Sequence, residues 1–155
     1  MPEITFTLNY EKRSVLVKPE ETLLEVLRDK LGVTSPKCGC DRGDCGSCSV
    51  LLNGRSVRSC IILAVEAAGQ EIITVEALSQ AGMTKIQKAM LANNAFQCGF
   101  CAPGAIITAT ELLEKNPHPT KEEIKESLAG NLCRCTGYTP IIDAVCNVSQ
   151  EKEDE

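Results

Sequence analysis

The chain has 155 residues, 43% hydrophobic and 24% charged, with a net charge of −5. That composition fits a globular protein of one domain or two small ones, and no run reaches the roughly 20 apolar residues needed to span a bilayer. An acidic balance with 3% aromatics and no Trp argues against a nucleic-acid binder, which needs basic patches for phosphate and aromatic platforms for bases.

The start, Met1 to Phe6, has neither a basic region nor an apolar core of the kind that directs export, so the cytoplasm is the expected location. Ile4, Phe6 and Leu8 alternate with polar residues and predict a half-buried strand. A turn over Asn9 to Arg13 leads to a second strand through Val15 and Val17, which Pro19 ends. Thr22-x-x-Glu25 is a capping-box pattern, Leu23, Leu24, Leu27 and Leu31 have helical spacing, and Gly32 stops the helix. Asn53-Gly54 between Ser49–Leu52 and Ser56–Arg58 is a two-residue hairpin signal, and Ile72 to Val75 reads as the last strand. This order predicts a β-grasp, plant-type ferredoxin-like domain.

From there the signals are helical. Thr84-x-x-Gln87 opens a helix to about Asn93. Pro103 opens another to Lys115. Thr120-x-x-Glu123 opens a third, closed by Gly130, and Thr139-Pro140 opens a fourth through Val148. The fold class is therefore α+β: a ferredoxin-like domain over 1–78 and a four-helix bundle over 79–155, with a charged tail over 150–155 that should fray.

Ten cysteines punctuate this plan. Cys40, Cys45 and Cys48, completed by Cys60, have the plant-type spacing for a 2Fe–2S cluster. Cys98 and Cys101 lie between the first two predicted helices of the second half, and Cys133 and Cys135 between the last two. Two helix–loop–helix units would thus offer two thiolates each to one cluster. Helix N-termini near Pro103 and Pro140 would turn free N–H groups and partial positive charge towards it. In the first set Gly39, Gly43 and Gly46 would let the loop wrap and bring amides to the sulfurs.

Disulfides suit exported chains, and the pairs Cys38-x-Cys40 and Cys133-x-Cys135 are poorly spaced for local bridges. Zinc hooks pair C-x2-C knuckles, whereas here Cys98-x2-Cys101 is mated to C-x-C; a zinc scaffold remains the lesser alternative. No GxGxxG follows a strand, so neither flavin nor nicotinamide is expected in this chain. One histidine, His118, leaves little for imidazole chemistry.

The segments Cys40–Cys48 (CDRGDCGSC), Gln97–Gly104 (QCGFCAPG) and Asn131–Tyr138 (NLCRCTGY) resemble the small iron–sulfur subunit of the molybdenum hydroxylases, the xanthine dehydrogenase/aldehyde oxidase/carbon monoxide dehydrogenase family. The resemblance spans essentially the whole chain. It implies that electrons pass from molybdenum through the helical-domain cluster, then the ferredoxin-domain cluster, to FAD on another subunit. It implies as partners a large subunit carrying molybdopterin, as the cytosine dinucleotide, and a medium FAD subunit, in a heterotrimer or its dimer. Gln97 would hydrogen-bond the molybdopterin, and Cys135 would lie beside the pterin as the entry point for electrons. Ala102 stands where the family usually has Thr, and Ser47 where it usually has Ala. Cys38 and Cys146 are surplus, and both read as small hydrophobes, although Cys38 is close enough to Cys40 to compete for iron. A free two-cluster carrier without catalytic partners is the alternative function.

Overall fold

The computed structural model of the chain describes residues 1–151; residues 152–155 of the expected fraying tail lie outside it. Strand β1 (Glu3–Leu8) buries Ile4, Phe6 and Leu8, as their alternation requires, and pairs antiparallel with β2 (Glu11–Leu16). The connection is tighter than expected. Asn9 and Tyr10 both take positive φ, 50° and 70°, so a two-residue turn suffices and β2 starts at Glu11, inside the predicted turn. Asn9 is also pinned from outside: it donates to the Thr74 hydroxyl and accepts the Thr74 amide, at 2.9 and 2.8 Å.

Helix α1 (Leu23–Glu25) begins at the predicted Thr22–Glu25 capping box and continues as a π-helical turn over Val26–Lys30. Strands β3 (Ser49–Leu52) and β4 (Arg55–Arg58) form the Asn53-Gly54 hairpin. Strand β5 (Glu71–Ile73) ends before Val75, because Thr74 caps a short helix, α2 (Val75–Leu78). The sheet order is β2-β1-β5-β3-β4, with β5 parallel to β1 and antiparallel to β3.

The two central strands are covered on both faces. Val50 and Ile72 join Phe6, Leu23, Val26 and Leu27 in the core beneath α1. Their neighbours Leu51 and Ile73 point to the other face, where they meet Ala77 and Ile107. Successive strand residues face opposite ways, so one dipeptide serves two cores.

Ile107 belongs to α4 (Ala102–Lys115), which packs across the sheet and also against α3 (Lys85–Ala92) and α5 (Lys121–Leu128); α6 (Thr139–Gln150) packs on α3 and α5. Their shared core holds Ile86, Met90, Ala105, Ile124, Leu128 and Val145. The capping boxes at Thr84/Gln87 and Thr120/Glu123 are both formed. Each satisfies two otherwise orphaned amides of its helix. Helix α6 runs two residues past the predicted Val148. Among the described residues no helix is long and apolar enough to cross a membrane.

Candidate metal centres

The eight cysteines of the two predicted sets sit in two groups, and within each group the thiols come in pairs. Cys40 and Cys45 lie on the loop before β3, with Cys48 at its foot; Cys60 is in the 3-10 turn Ser59–Ile61 directly after β4. Cys40 Sγ accepts the amides of Asp44 and Cys45, both at 3.3 Å. The amides of Arg42, Cys45 and Asp44 together hold the Cys40 thiol down at about 6, so the thiolate that iron needs is already favoured at neutral pH.

Cys48 and Cys60 are the opposite case. Both are buried beneath Leu24 of α1, and burial, then the adjacent Cys48 thiol, push Cys60 up to about 12. A metal centre here must displace that proton, and in return it gains a dry, apolar wall.

The loop can close this tightly because of two glycines. A Cβ at Gly39 would stand 2.8 Å from Cys45 Sγ. At Gly46, φ is +78° and a Cβ would stand 2.3 Å from the Gly130 carbonyl oxygen. Gly39 is therefore required for space, whereas Gly46 is required for both space and backbone conformation. Arg28, from the π-helical turn, holds the approach to the loop by donating to the carbonyls of Thr34 and Pro36 at 2.9 and 2.8 Å.

The second group forms where α4 and α6 begin. Cys101 is the N-cap residue of α4 and is buried; Cys98, three residues earlier, is exposed. Cys135 Sγ lies 3.6 Å from Cys98 Sγ, while Cys133 is hydrogen-bonded to Cys101. Burial, then Cys133, push the Cys101 thiol up to about 12. The Phe100 amide, then Cys135, hold Cys98 down. Burial works against the Cys133 thiolate, but the Thr136 hydroxyl, 3.1 Å away, and nearby amides outweigh it and hold its pKa below the usual value. Tyr138, at φ 73°, accepts the Cys133 amide on its hydroxyl at 3.3 Å and turns the chain into α6.

This arrangement fits a 2Fe–2S cluster at each group, since each iron takes two thiolates. Among the described residues no three His, Cys, Asp or Glu side chains gather as a single-ion site. Gln97 is exposed and donates its side-chain amide to the Cys135 carbonyl at 3.1 Å, so the two residues singled out by the resemblance are joined. Cys38 is exposed, and desolvation followed by the Asp41 carboxylate pushes its thiol up. Cys146 packs against the core of the helices as a small hydrophobe.

A contact that the sequence did not announce connects the two groups. The Leu132 amide donates to the Cys45 carbonyl at 2.8 Å. Cys45 belongs to the first set, and Leu132 immediately precedes Cys133 of the second.

Two family models match the chain: a 2Fe-2S iron-sulfur cluster binding domain over residues 4–95, and a 2Fe-2S binding domain over residues 74–146. The small subunit of nicotine 6-hydroxylase from Paenarthrobacter nicotinovorans is 49% identical, over 92% of this chain and 87% of its own length. The small FeS subunit of nicotinate dehydrogenase from Eubacterium barkeri is 48% identical, over 92% of this chain and 91% of its own. The solved structure of quinoline 2-oxidoreductase from Pseudomonas putida 86 superposes with a TM-score of 0.92 at 44% identity, covering 96% of this chain and 92% of that one. With two cluster-binding models matched and relatives of this identity aligned along nearly their full length, the chain belongs to the molybdenum hydroxylase family, as the iron–sulfur subunit of a molybdenum-containing oxidoreductase.

Proposed function

We propose that the chain relays electrons from a molybdopterin site on a large partner subunit, through two 2Fe–2S clusters, to FAD on a medium partner subunit. The clusters, when bound, supply one-electron chemistry between a two-electron oxidation and a flavin. Cys40, Cys45, Cys48 and Cys60 are the ligands of one, in a ferredoxin-like β-grasp domain over 1–78. Cys98, Cys101, Cys133 and Cys135 are those of the other, in a four-helix bundle over 79–155. The complex is a cytoplasmic heterotrimer or its dimer, and the molybdopterin is the cytosine dinucleotide.

The observation that carries this reading is the 2.8 Å hydrogen bond from Leu132 N–H to the Cys45 carbonyl. It gives a path of covalent bonds with one hydrogen bond from the Cys133 sulfur to the Cys45 sulfur, within the chain. Cys98 and Cys135, both exposed, put the second thiol set at the surface. Gln97 is the residue this chain would present to the pterin, steadied by its bond to the Cys135 carbonyl.

The test is stopped-flow reduction of the purified complex. Gln97→Ala should keep both clusters, slow reduction by substrate or weaken cofactor retention, and leave reduction by dithionite unchanged. A native chain that never associates with either partner would instead indicate a free carrier, and stoichiometric zinc without iron would end both readings.

A further inference from the structure

Arg58, at the end of β4, holds a position that the relay alone does not explain. Its Nη1 donates to Ser49 Oγ at 2.8 Å, beside Cys48, and its Nη2 donates to the Gly130 carbonyl at 2.9 Å, three residues before Cys133. Ser49 Oγ passes the network on to the Gly46 carbonyl at 2.7 Å, on the backbone that bears Cys45 and Cys48. Gly130 is the residue that admits the guanidinium, since a Cβ there would lie 2.4 Å from Nη2. Arg58 also stands two residues from Cys60.

Among the described residues its charge has no counter-charge paired to it. Both named acceptors are neutral, Nε is buried without a partner, and among the described residues no ion pair includes Arg58. Glu111, which accepts from Ser56 of β4, is also bonded to Lys115. A part-buried guanidinium with an orphaned Nε loses some of its hydration, and an anion nearby would offset that loss. Four thiolates around a 2Fe–2S centre are such a group, and their net negative charge grows by one on reduction.

We propose that Arg58 is a positioning residue that raises the reduction potential of the centre at Cys40, Cys45, Cys48 and Cys60, and so draws electrons from the second thiol set towards the first. Its charge favours the reduced form over the oxidised form, because only the reduced form carries the additional electron. The bias falls mainly on the first set, since Arg58 contacts the residue after Cys48 and precedes Cys60 by two, whereas its hydrogen bond towards the second set ends on the Gly130 carbonyl, three residues before Cys133. The inference rests on the two-cluster reading above.

Potentiometric titration of the assembled complex, followed by EPR of the two reduced spin systems, separates the inference from that reading. Iron and two spin systems in the wild type test the reading. The difference between variants tests Arg58. Arg58→Gln should lower the first centre's reduction equilibrium by about tenfold, 59 mV for one electron, and shift the second less. Arg58→Lys, which keeps the charge and loses the fork, should stay within about threefold of wild type while melting earlier. If Arg58→Gln does not retain iron, Arg58→Met, neutral and similar in reach, makes the same comparison. Potentials that do not move in whichever neutral variant retains iron would make Arg58 a clamp between the two halves and overturn the proposal. A tenfold fall in Arg58→Lys would do the same.

Discussion

Two glycine-to-alanine changes at the junction of the two thiol sets, with a third away from it as reference, separate backbone conformation from space. Gly69 has φ +74° and nothing within 4 Å of where an added methyl would sit, so Gly69→Ala carries only the left-handed penalty, about 1–2 kcal/mol. Gly104, in the first turn of α4, has no positive φ, but a Cβ would lie 2.2 Å from the Gly46 carbonyl oxygen. Gly104→Ala therefore pays for overpacking, about 1–3 kcal/mol, less up to about 1 kcal/mol of helix propensity. Gly46 combines φ +78° with a Cβ position 2.3 Å from the Gly130 carbonyl oxygen and 2.7 Å from Asn131 Oδ1. Both obstacles are on the opposing segment of the junction, so the two contributions add, to about 2–5 kcal/mol. At about 2–4 °C per kcal/mol for a chain of this size, Gly46→Ala should melt about 4–20 °C below wild type and Gly69→Ala about 2–8 °C below. Thermal unfolding followed by far-ultraviolet circular dichroism measures all three. The same displacement would stretch the Leu132 amide to Cys45 carbonyl bond, so Gly46→Ala should also slow transfer between the centres, which Gly69→Ala should not. A Gly46→Ala destabilisation no larger than that of Gly69→Ala would show that the junction yields freely and is not a tight backbone contact.

Ligand replacement should divide by thiol set. Cys45→Ala or Cys48→Ala should abolish one EPR signal, Cys101→Ala or Cys133→Ala the other, and Cys38→Ser and Cys146→Ser neither; loss of iron in Cys38→Ser with retention in Cys40→Ser would shift the register of the first loop. Glu76 supplies a pH test. Burial raises its pKa, but hydrogen bonds from Ser35 and from Thr74, at 2.6 Å, outweigh it and hold the carboxyl below its usual 4.5. A lowered folded pKa means that its stabilisation is fully present above the unfolded value and is lost as pH falls through the folded one. Melting temperature should therefore drop on acidification below about pH 4.5 more steeply in wild type than in Glu76→Gln; parallel curves would remove Glu76 as the source.

Local chemistry was legible in the sequence because it is written at short range. Capping boxes at Thr22, Thr84 and Thr120 need four consecutive residues, and all three form. The runs Cys40–Cys48, Cys98–Cys101 and Cys133–Cys135 are equally local, whereas joining the last two into one set rested on the order of the predicted helices. Pairing inside the second set was not legible. A C-x2-C run suggests that its two thiols act together, yet Cys101 caps a helix and turns inward while Cys98 stays in the exposed loop, so each meets a thiol from the other loop. The turn at Asn9 and Tyr10 is shorter than its residues suggest because Tyr seldom takes a left-handed φ; here Thr74 holds Asn9 from 65 residues away. Sheet order and the Arg58–Gly130 bond, which spans 72 residues, depend equally on distant partners.

The sheet and the helical half are held together at three places. Ile107 of α4 packs against Leu51 and Ile73 of the sheet, the Ser56 amide donates to Glu111 of α4 at 3.0 Å, and Gly104 lies against Gly46. The last of these adjoins the Cys45–Leu132 hydrogen bond, since Gly46 follows Cys45 and also lies against Gly130 and Asn131, just before Leu132. Electron transfer falls steeply with the gap between groups, so in the proposed relay a junction held at these points would keep the rate insensitive to motion elsewhere in the chain. The outer thiols are placed differently. Cys98 and Cys135 are exposed, and Phe100 and Leu132, two and three residues from them along the chain, are 46% and 50% exposed. Large apolar side chains left in water next to a redox site favour a covering partner, which would exclude solvent from the thiolates as it docks. In the proposed relay the inner step would then cross a hydrogen bond within the chain, and the outer step would fall at an interface with a partner.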